Sequence, residues 1–456
     1  MNYRNEKDSL GEVKVPMEKY WGAQTQRSHE NFPIGVGLET MPLPIIKAFG
    51  YLKKAAAQAN SELNPKKMTQ EKLRIIEEVC DLIISGKLNE HFPLVVWQTG
   101  SGTQTNMNVN EVIANKGNEI AGKKLLHPND DVNMSQSSND TFPTALYISA
   151  LMEVKSNVIP ALEKMIEELK KKEDENITVM KCGRTHLQDA VPLSFAQEIS
   201  GWRASLQQDK SMLLSSIEYL TQLALGGTAV GTGLNAPKGF DKVVAQKIAN
   251  LTNENFITAE NKFHALTSKS ELVSTHGVLK SLAADLMKIA NDVRWLASGP
   301  RLGLGEITIP SNEPGSSIMP GKVNPTQAEA LTMVCVQVMG NDSTIGIASS
   351  QGNFELNVFM PVMAYNFLQS TRLLSEAMLS FTQRCLKGMK ANKKKMKENI
   401  DNSLMLVTYL NPYIGYEKSA QIAKKALNES ISLKEACVAL NFLSEEEFDR
   451  IIYTAK

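Results

Sequence analysis

Residues 271–297 read ELVSTHGVLKSLAADLMKIANDVRWLA, and this stretch decides the fold. Eight of its residues are spaced alternately by four and three: Leu272, His276, Leu279, Ala283, Leu286, Ala290, Val293 and Ala297. This spacing places them in one stripe along a long helix. It predicts a partner helix that packs at a shallow crossing angle.

Two other regions, residues 194–225 and 355–389, have similar long patterns. Helices of this length exceed the average of about 11–12 residues in globular proteins. Because such a helix cannot bury its stripe alone, the patterns predict a long central helix bundle that is shared between subunits. No strand patterns alternate with the helical ones, so Rossmann and TIM folds are not expected. The predicted fold class is all-α.

The length and the changes of pattern along the chain predict three domains. A chain of 456 residues is too long for a single core. The first third combines short helical patterns with polar loops at 98–108 and 127–140. In the last part, Ser444 and Glu447 form a capping box for a final helix. We expect a mostly helical N-terminal domain at 1–134, the long-helix bundle at 135–392 and a small helical C-terminal domain at 393–456.

The charge composition limits the classes of binding partner that we expect. Lys plus Arg and Asp plus Glu each number 49, so the formal net charge is zero. A balanced chain predicts neither nucleic acid nor a membrane as a partner, and any bound anion must be held locally. No apolar run approaches the roughly 18–20 residues of a membrane span, and residues 1–11 lack the apolar segment of a signal peptide. We expect a cytoplasmic protein, or a mature form whose targeting segment was removed.

The cysteines indicate neither a disulfide framework nor a metal site. They are five in number, with no C-x-x-C pair: Cys80, Cys182, Cys335, Cys385 and Cys437. An odd number of scattered cysteines is typical of buried thiols in a reducing compartment. We expect no bound metal.

Two glycine-containing stretches resemble nucleotide-binding loops and fail on spacing. Five residues separate Gly315 from Gly321, where a phosphate loop has four, and Val323 replaces its Ser or Thr. In residues 226–236, Ala236 occupies the position of the third glycine of a dinucleotide turn, and no strand is predicted before it. We expect no cofactor.

Residues 315–325, GSSIMPGKVNP, are the strongest candidate for chemistry. They read as a loop that feeds a helix, with Asn324 as N-cap and Pro325 as first helical residue. A helix N-terminus beside Lys322 is an anion site, and the adjacent hydroxyls of Ser316 and Ser317 could close over a ligand. The alternative is a plain capped helix behind a turn.

Together with four other segments, this loop resembles the fumarase/aspartase superfamily. The other segments are WQTGSGTQ at 97–104, SSND at 137–140, GRTHLQ at 183–188 and GGTAVG at 226–231. They follow the family's order, and the resemblance runs from residue 8 to the C-terminal tail. It implies a homotetramer whose active sites combine residues from several subunits.

Within the superfamily the chain is most similar to the fumarases. The sequence TQAEA at 326–330 resembles them, and aspartases typically have Gln where His186 stands. The resemblance implies cofactor-free, reversible hydration of fumarate to (S)-malate in the tricarboxylic acid cycle. Two alternatives are a lyase that releases ammonia from aspartate and a catalytically inactive structural homologue.

The resemblance also implies roles for individual residues. Ser316 would be the base, His186 would handle the water proton, and Glu329 would orient His186. The alternatives are that Ser316 only hydrogen-bonds substrate, that His186 is structural, and that Glu329 is an acid favoured by the helix dipole. The implied substrate-binding residues are Ser101, Gly102, Thr103, Ser137, Ser138, Asn139, Thr185, Ser317, Lys322 and Asn324.

A second dicarboxylate site is implied by Lys124, His127, Asn129 and Asp130. The chain departs from the family here, because the family usually has Arg near the position of Lys124 and a longer preceding segment. The alternative is a loop at a helix start that only packs near the active site.

Overall fold

The computed structural model describes residues 2–455, which form two compact units. Unit 1 comprises Met1–Pro160, Asp209–Ala283 and Val334–Glu376; unit 2 comprises Ala161–Gln208, Ala284–Met333 and Ala377–Lys456. Each unit therefore gathers three separate segments of chain. The three consecutive domains that the sequence indicates divide the chain in another way and stay a prediction.

Helices dominate the described residues, which confirms the all-α fold class. The helices are α1 Ala23–Asn31, α2 Leu43–Leu63, α3 Gln70–Ile84, α4 Thr103–Ala121, α5 Ser138–Glu153, α6 Ile159–Glu175, α7 Phe195–Ile217, α8 Phe240–Thr252, α9 Lys262–Thr267, α10 Ser270–Leu296, α11 Thr326–Ser349, α12 Met360–Arg384, α13 Lys393–Asp401, α14 Asn411–Ile414, α15 Tyr416–Glu429, α16 Leu433–Ala439 and α17 Glu445–Ala455.

The strands are short and form two-stranded sheets. They are β1 Tyr3–Asp8, β2 Gly11–Pro16, β3 Met180–Thr185, β4 Gln188–Ser194, β5 Gln222–Leu223, β6 Ile257–Thr258, β7 Ile307–Thr308 and β8 Lys390–Ala391. The pairs β1–β2, β3–β4 and β7–β8 are antiparallel, and β5–β6 is parallel. The sequence predicted none of them, and β5 directly precedes the glycine-rich stretch where no strand was expected.

The predicted stripe on α10 is confirmed: Leu272 to Val293 of the stripe are all buried, and Ala297 lies one residue beyond the helix end. Its one polar member, His276, is fully buried because both ring nitrogens are satisfied. Nδ1 lies 3.0 Å from Asp342 Oδ1, and Nε2 lies 2.8 Å from Ser370 Oγ. A buried polar side chain with complete hydrogen bonds costs the core little.

In unit 1, α2 packs against α3, α5 and α8. Its inward face includes Ile45, Phe49 and Leu52, each fully buried. The helix carries few β-branched residues and many alanines, which favours both helix formation and close packing. Helix α5 is buried on nearly every side, so its N-terminus is held in place by the core.

In unit 2, a hairpin formed by β3 and β4 packs against α13. The C-terminal helices share a hydrophobic core that contains Leu410, Ile422 and Cys437. The predicted capping box is confirmed, because Glu447 N donates to Ser444 Oγ at 3.2 Å and Ser444 N donates to the Glu447 carboxylate at 2.9 Å.

Several predicted boundaries were wrong by a few residues. Helix α11 begins at Thr326, so Pro325 precedes the helix and Asn324 is not its N-cap. Residues 103–108 and 138–140, predicted as loop, belong to the first turns of α4 and α5. Both runs bury polar side chains, among them Asn106, Asn108 and Asp140.

All five cysteines are buried free thiols, as expected. Across residues 2–455, the helices are either too short or too polar to span a bilayer.

Candidate active site

In unit 1, the hydroxyls of three predicted binding residues form a chain. Ser101 Oγ and Thr103 Oγ1 lie 2.9 Å apart, and Thr103 Oγ1 donates to Ser138 Oγ at 2.9 Å. Between them, Gly102 is the N-cap of α4 with φ +73°, and an added Cβ would lie 2.1 Å from the Phe142 ring. Only glycine fits this position, so the turn brings the N-termini of α4 and α5 together.

The N-terminus of α5 carries the other predicted binding residues of unit 1. Ser137 Oγ accepts from Asn139 N at 3.3 Å, and Ser137 N donates to Asp140 Oδ1 at 2.9 Å, which forms a capping box. The Asn139 amide donates to Ala229 O at 2.8 Å. Two helix N-termini with several hydroxyls in one place favour an anionic ligand.

Asp140 anchors this helix start from behind, and sequence reasoning gave it no role. Its Oδ2 accepts from Gly226 N at 2.9 Å and Thr228 N at 2.8 Å, which ties the GGTAVG segment to α5. Burial raises the pKa of Asp140 to about 6, although these N–H groups act in the opposite direction. The family segment SSND therefore includes one residue that holds the backbone rather than a ligand.

In unit 2, Thr185 and His186 lie at the tip of the β3–β4 hairpin. Thr185 pairs with Gln188, so His186 and Leu187 form a two-residue turn. Both have positive φ, +57° and +60°, as a type I′ turn requires. Thr185 and His186 are exposed, and the imidazole makes no hydrogen bond to any described residue.

A buried ion cluster holds the base of this hairpin. Arg184 donates to both carboxylate oxygens of Glu306, at 3.0 and 2.7 Å, and Lys181 lies 3.4 Å from the same carboxylate. Burial alone would raise the pKa of Glu306, but the hydrogen bonds and charges of Arg184, Lys181 and Asn399 hold it below its usual value. The cluster fixes His186 by way of its neighbour Arg184.

In the loop 315–325, the side-chain oxygen of Ser316 accepts two hydrogen bonds from the backbone. Ser316 Oγ accepts from Ile318 N at 3.2 Å and from Met319 N at 3.0 Å. The Asn324 amide donates to Gly315 O at 2.5 Å and closes the loop at its base. Backbone N–H groups that point at a hydroxyl oxygen stabilise its alkoxide form.

A cavity of about 980 Å³ in unit 2 collects part of the predicted site. Lys322, Asn324 and Glu329 line it, together with Arg294 and Asn291. The other predicted site residues of unit 2, which are Thr185, His186, Ser316 and Ser317, are not among its lining residues. Glu329 lies in the first turn of α11, where the helix dipole favours its charge.

The proposed second dicarboxylate site is brought together only in part. His127 Nδ1 accepts from Asp130 N at 3.2 Å and lies 3.3 Å from its carboxylate. The side-chain nitrogen of Asn129 lies 3.9 Å from the sulfur of Met107, and Lys124 is exposed. A carboxylate beside His127 competes with any dicarboxylate that would bind there.

Family models match both ends of the chain. One described as lyase covers residues 11–340, and one described as fumarase C C-terminus covers residues 406–456. A Bacillus cereus protein named fumarate hydratase class II is 61% identical over 456 residues, which cover 99% of this chain and 98% of the relative. The chain belongs to the class II fumarase family. The resemblance drawn from the motifs is thus confirmed.

Other members of the class II fumarase family agree over the full length. A Helicobacter pylori fumarate hydratase class II is 57% identical and covers 100% of this chain and 99% of its own. The crystal structure of a class II fumarase from Schistosoma mansoni superposes with a TM-score of 0.97 at 44% identity, and covers 99% of this chain and 98% of that one. The roles of individual residues stay predictions.

Proposed function

We propose that this protein is a fumarate hydratase that adds water reversibly to fumarate, gives (S)-malate and operates in the tricarboxylic acid cycle. The observation that carries the proposal is the full-length identity of 61% with a fumarate hydratase class II. Residues suited to each step of the reaction are present in the chain, and none of the steps needs a cofactor.

Ser316 is the proposed base. In the dehydration direction it removes a proton from the carbon beside a carboxylate of malate and turns that carboxylate into an enediolate, whose two oxygens share two negative charges. An ordinary serine is too weak a base, so its alkoxide must be stabilised. The two N–H groups of Ile318 and Met319 that point at Ser316 Oγ support this role.

His186 is the proposed acid in the same direction. It gives a proton to the departing hydroxyl on the opposite face and, in hydration, takes a proton from the attacking water. Glu329 is its proposed partner, which would orient the ring and stabilise the imidazolium. The exposed hairpin tip leaves both ring nitrogens of His186 free to meet such partners.

The remaining residues bind the dianion. Lys322 and Asn324 would hold one carboxylate and stabilise the enolate charge. The hydroxyls of Ser101, Thr103 and Ser138 would bind the other at the N-termini of α4 and α5. The neutral donors fix the orientation of the dianion. Lys322 places its positive charge beside the carboxylate on which the negative charge of the enolate develops.

The protein is proposed to be a homotetramer with composite active sites. Helix α11 carries three large apolar side chains, Met333, Val336 and Ile347, that are each more than 60% exposed in the single chain. They recur on one side of the helix, a pattern that predicts burial against a partner. A second copy of the chain would cover this face. The exposed His186 would likewise reach Glu329 of another copy.

The proposed location is the cytoplasm. All five cysteines are free thiols, which is typical of a reducing compartment.

The test is an assay of the purified protein with fumarate in water and with fumarate plus ammonium. We expect fumarate absorbance to fall in water alone, with malate as the product. Consumption that occurs only with ammonium would identify an ammonia lyase. No consumption under either condition would indicate an inactive homologue.

A further inference from the structure

Lys53 lies on α2 inside unit 1, and 1% of its surface is exposed. Its ammonium donates to three amide oxygens: Asn106 Oδ1 at 2.7 Å, Gln136 Oε1 at 2.8 Å and Asn133 Oδ1 at 3.2 Å. An ammonium has three N–H donors and no acceptor. The three donors and three acceptors therefore match one to one.

The three amides belong to the segments that carry predicted binding residues. Asn106 lies in the first turn of α4, three residues after Thr103. Asn133 and Gln136 lie four residues and one residue before Ser137, the N-cap of α5. The Asn106 amide also donates to Asn133 Oδ1 at 3.1 Å, which links the two segments a second time.

We propose that Lys53 is a positioning residue of the substrate site. Its buried ammonium holds the N-termini of α4 and α5 at the spacing that places the hydroxyls of Thr103 and Ser138 on one dicarboxylate. This inference rests on the proposed function, because it concerns the same substrate.

The charge state of Lys53 decides whether this arrangement is complete. Burial lowers the pKa of Lys53 to about 7, against the attraction of Asp140 on α5. Burial raises the pKa of the Cys80 thiol on α3, so this group stays uncharged, and the α4 side chain that faces Lys53 is the neutral amide of Asn106. A neutral amine has two donors and a lone pair, so one of the three amide oxygens would face that lone pair. Substrate binding should therefore weaken as the pH rises through this pKa.

Stability should change with pH in the opposite direction. The folded pKa lies below the value of about 10.4 in an unfolded chain. Between these two values the unfolded state binds more protons, so the contribution of Lys53 to stability rises with pH. Between these two pKa values, the fold therefore gains stability while substrate binding is expected to weaken. If Lys53 only stabilised the fold, substrate binding would not weaken in this pH range.

Lys269 provides a matched control in the same unit. It is fully buried, and its ammonium also donates to three oxygens, the backbone carbonyls of Ala265, Leu266 and Ser268, at 2.8–3.0 Å. Burial also lowers the pKa of Lys269 to about 7. Its partners end α9 and include no predicted substrate residue.

The experiment compares Lys53→Met and Lys269→Met in the full-length protein. Both should lower the Tm. We expect Lys53→Met to raise KM for fumarate about tenfold or more, with kcat changed by less than about threefold, and Lys269→Met to leave KM within about twofold. Binding of succinate, a non-reacting dicarboxylate, should weaken in parallel with KM.

A third variant keeps the test decisive if Lys53→Met fails to fold. Asn133→Asp keeps the oxygen that Lys53 contacts and adds a negative charge, which raises the pKa of the lysine. We expect the rise of KM with pH to move to higher pH by about one unit or more.

The outcomes separate the two proposals. An inactive wild-type protein contradicts the proposed function. An active wild-type protein contradicts the Lys53 proposal if Lys53→Met leaves KM unchanged, if Lys269→Met raises it equally, or if Asn133→Asp leaves the pH dependence in place.

Discussion

The binding residues of unit 1 and the loop 315–325 of unit 2 differ in how firmly the fold holds them. Ser101 is buried, and its hydroxyl belongs to a chain that reaches Ser138. Behind it, Asp140 and Lys53 are fully or nearly fully buried and complete their hydrogen bonds with the backbone or with amides. In the loop, Ser317 and Lys322 are exposed, and Gly321 has φ +81°.

The difference shows which parts of the proposed site are held rigidly by the fold. The binding groups of unit 1 are fixed before a ligand arrives, which lowers the entropy lost on binding. The groups proposed for proton transfer lie on an exposed hairpin tip and an exposed loop, where a ligand or another copy of the chain must complete their surroundings. Variants of the second group should therefore change kcat, and variants of the first group should change KM.

The largest effect is expected for Ser316→Ala. The variant removes the proposed base and leaves the loop's glycines and Lys322 intact, so kcat should fall by about 10²-fold or more. Steady-state kinetics and size-exclusion chromatography check this, because the assembly should persist. Normal turnover would show that Ser316 only contacts the substrate.

His186→Asn should come next. Asparagine tolerates the positive φ of this position better than most residues, so the hairpin turn is kept while the titratable ring is lost. We expect kcat to fall by about 10²-fold with a smaller change in KM. A variant with nearly normal turnover would contradict the acid–base role.

Glu306→Gln should have an intermediate effect, because it removes the buried counter-ion of Arg184, while Lys181 keeps its ion pair with Glu198 at 2.6 Å. We expect a loss of about 3–5 kcal/mol in unfolding free energy and a roughly tenfold lower kcat through a looser His186 hairpin. The depressed pKa of Glu306 stabilises the wild type above the unfolded value of about 4.3, and this stability is lost as the pH falls further. Denaturant unfolding at pH 7 and pH 3 measures the difference in unfolding free energy between wild type and variant, which should be smaller at pH 3. A difference that is the same at both pH values would contradict a stabilising role of the Glu306 charge.

The smallest effect is expected for His127→Ala. Its ring caps a short turn and lies beside Asp130, and it makes no hydrogen bond to Ser101, Thr103 or Ser138 among the described residues. Turnover at saturating fumarate should change by less than about threefold. A collapse of kcat would assign the second site a direct role.

The long helices could be predicted because their stripes repeat over many turns, as on α10. The hairpin that carries His186 could not, since its strands do not alternate between buried and exposed residues: Lys181, Cys182 and Gly183 are consecutive and all buried. The buried Lys181 pairs with Glu198 at 2.6 Å and lies 3.4 Å from Glu306, which is far away in the sequence.

Lys53 illustrates the same limit at the site. It stands beside Lys54, which pairs with Asp81 at the surface, and the local sequence does not distinguish the two lysines. The motifs identified the residues that face the ligand. They could not identify Lys53, because its partners Asn106 and Gln136 approach it only in the folded chain.

The measurement that most directly tests the account is the activity of mixed assemblies. Ser316→Ala and His186→Asn are each purified, then unfolded and refolded together. If different copies of the chain supply His186 and Ser316 to one site, random mixing should restore roughly a quarter of the wild-type activity, because a quarter of sites would receive both intact residues. Mixed assemblies that form, yet stay as inactive as either parent, would contradict an active site built from several subunits.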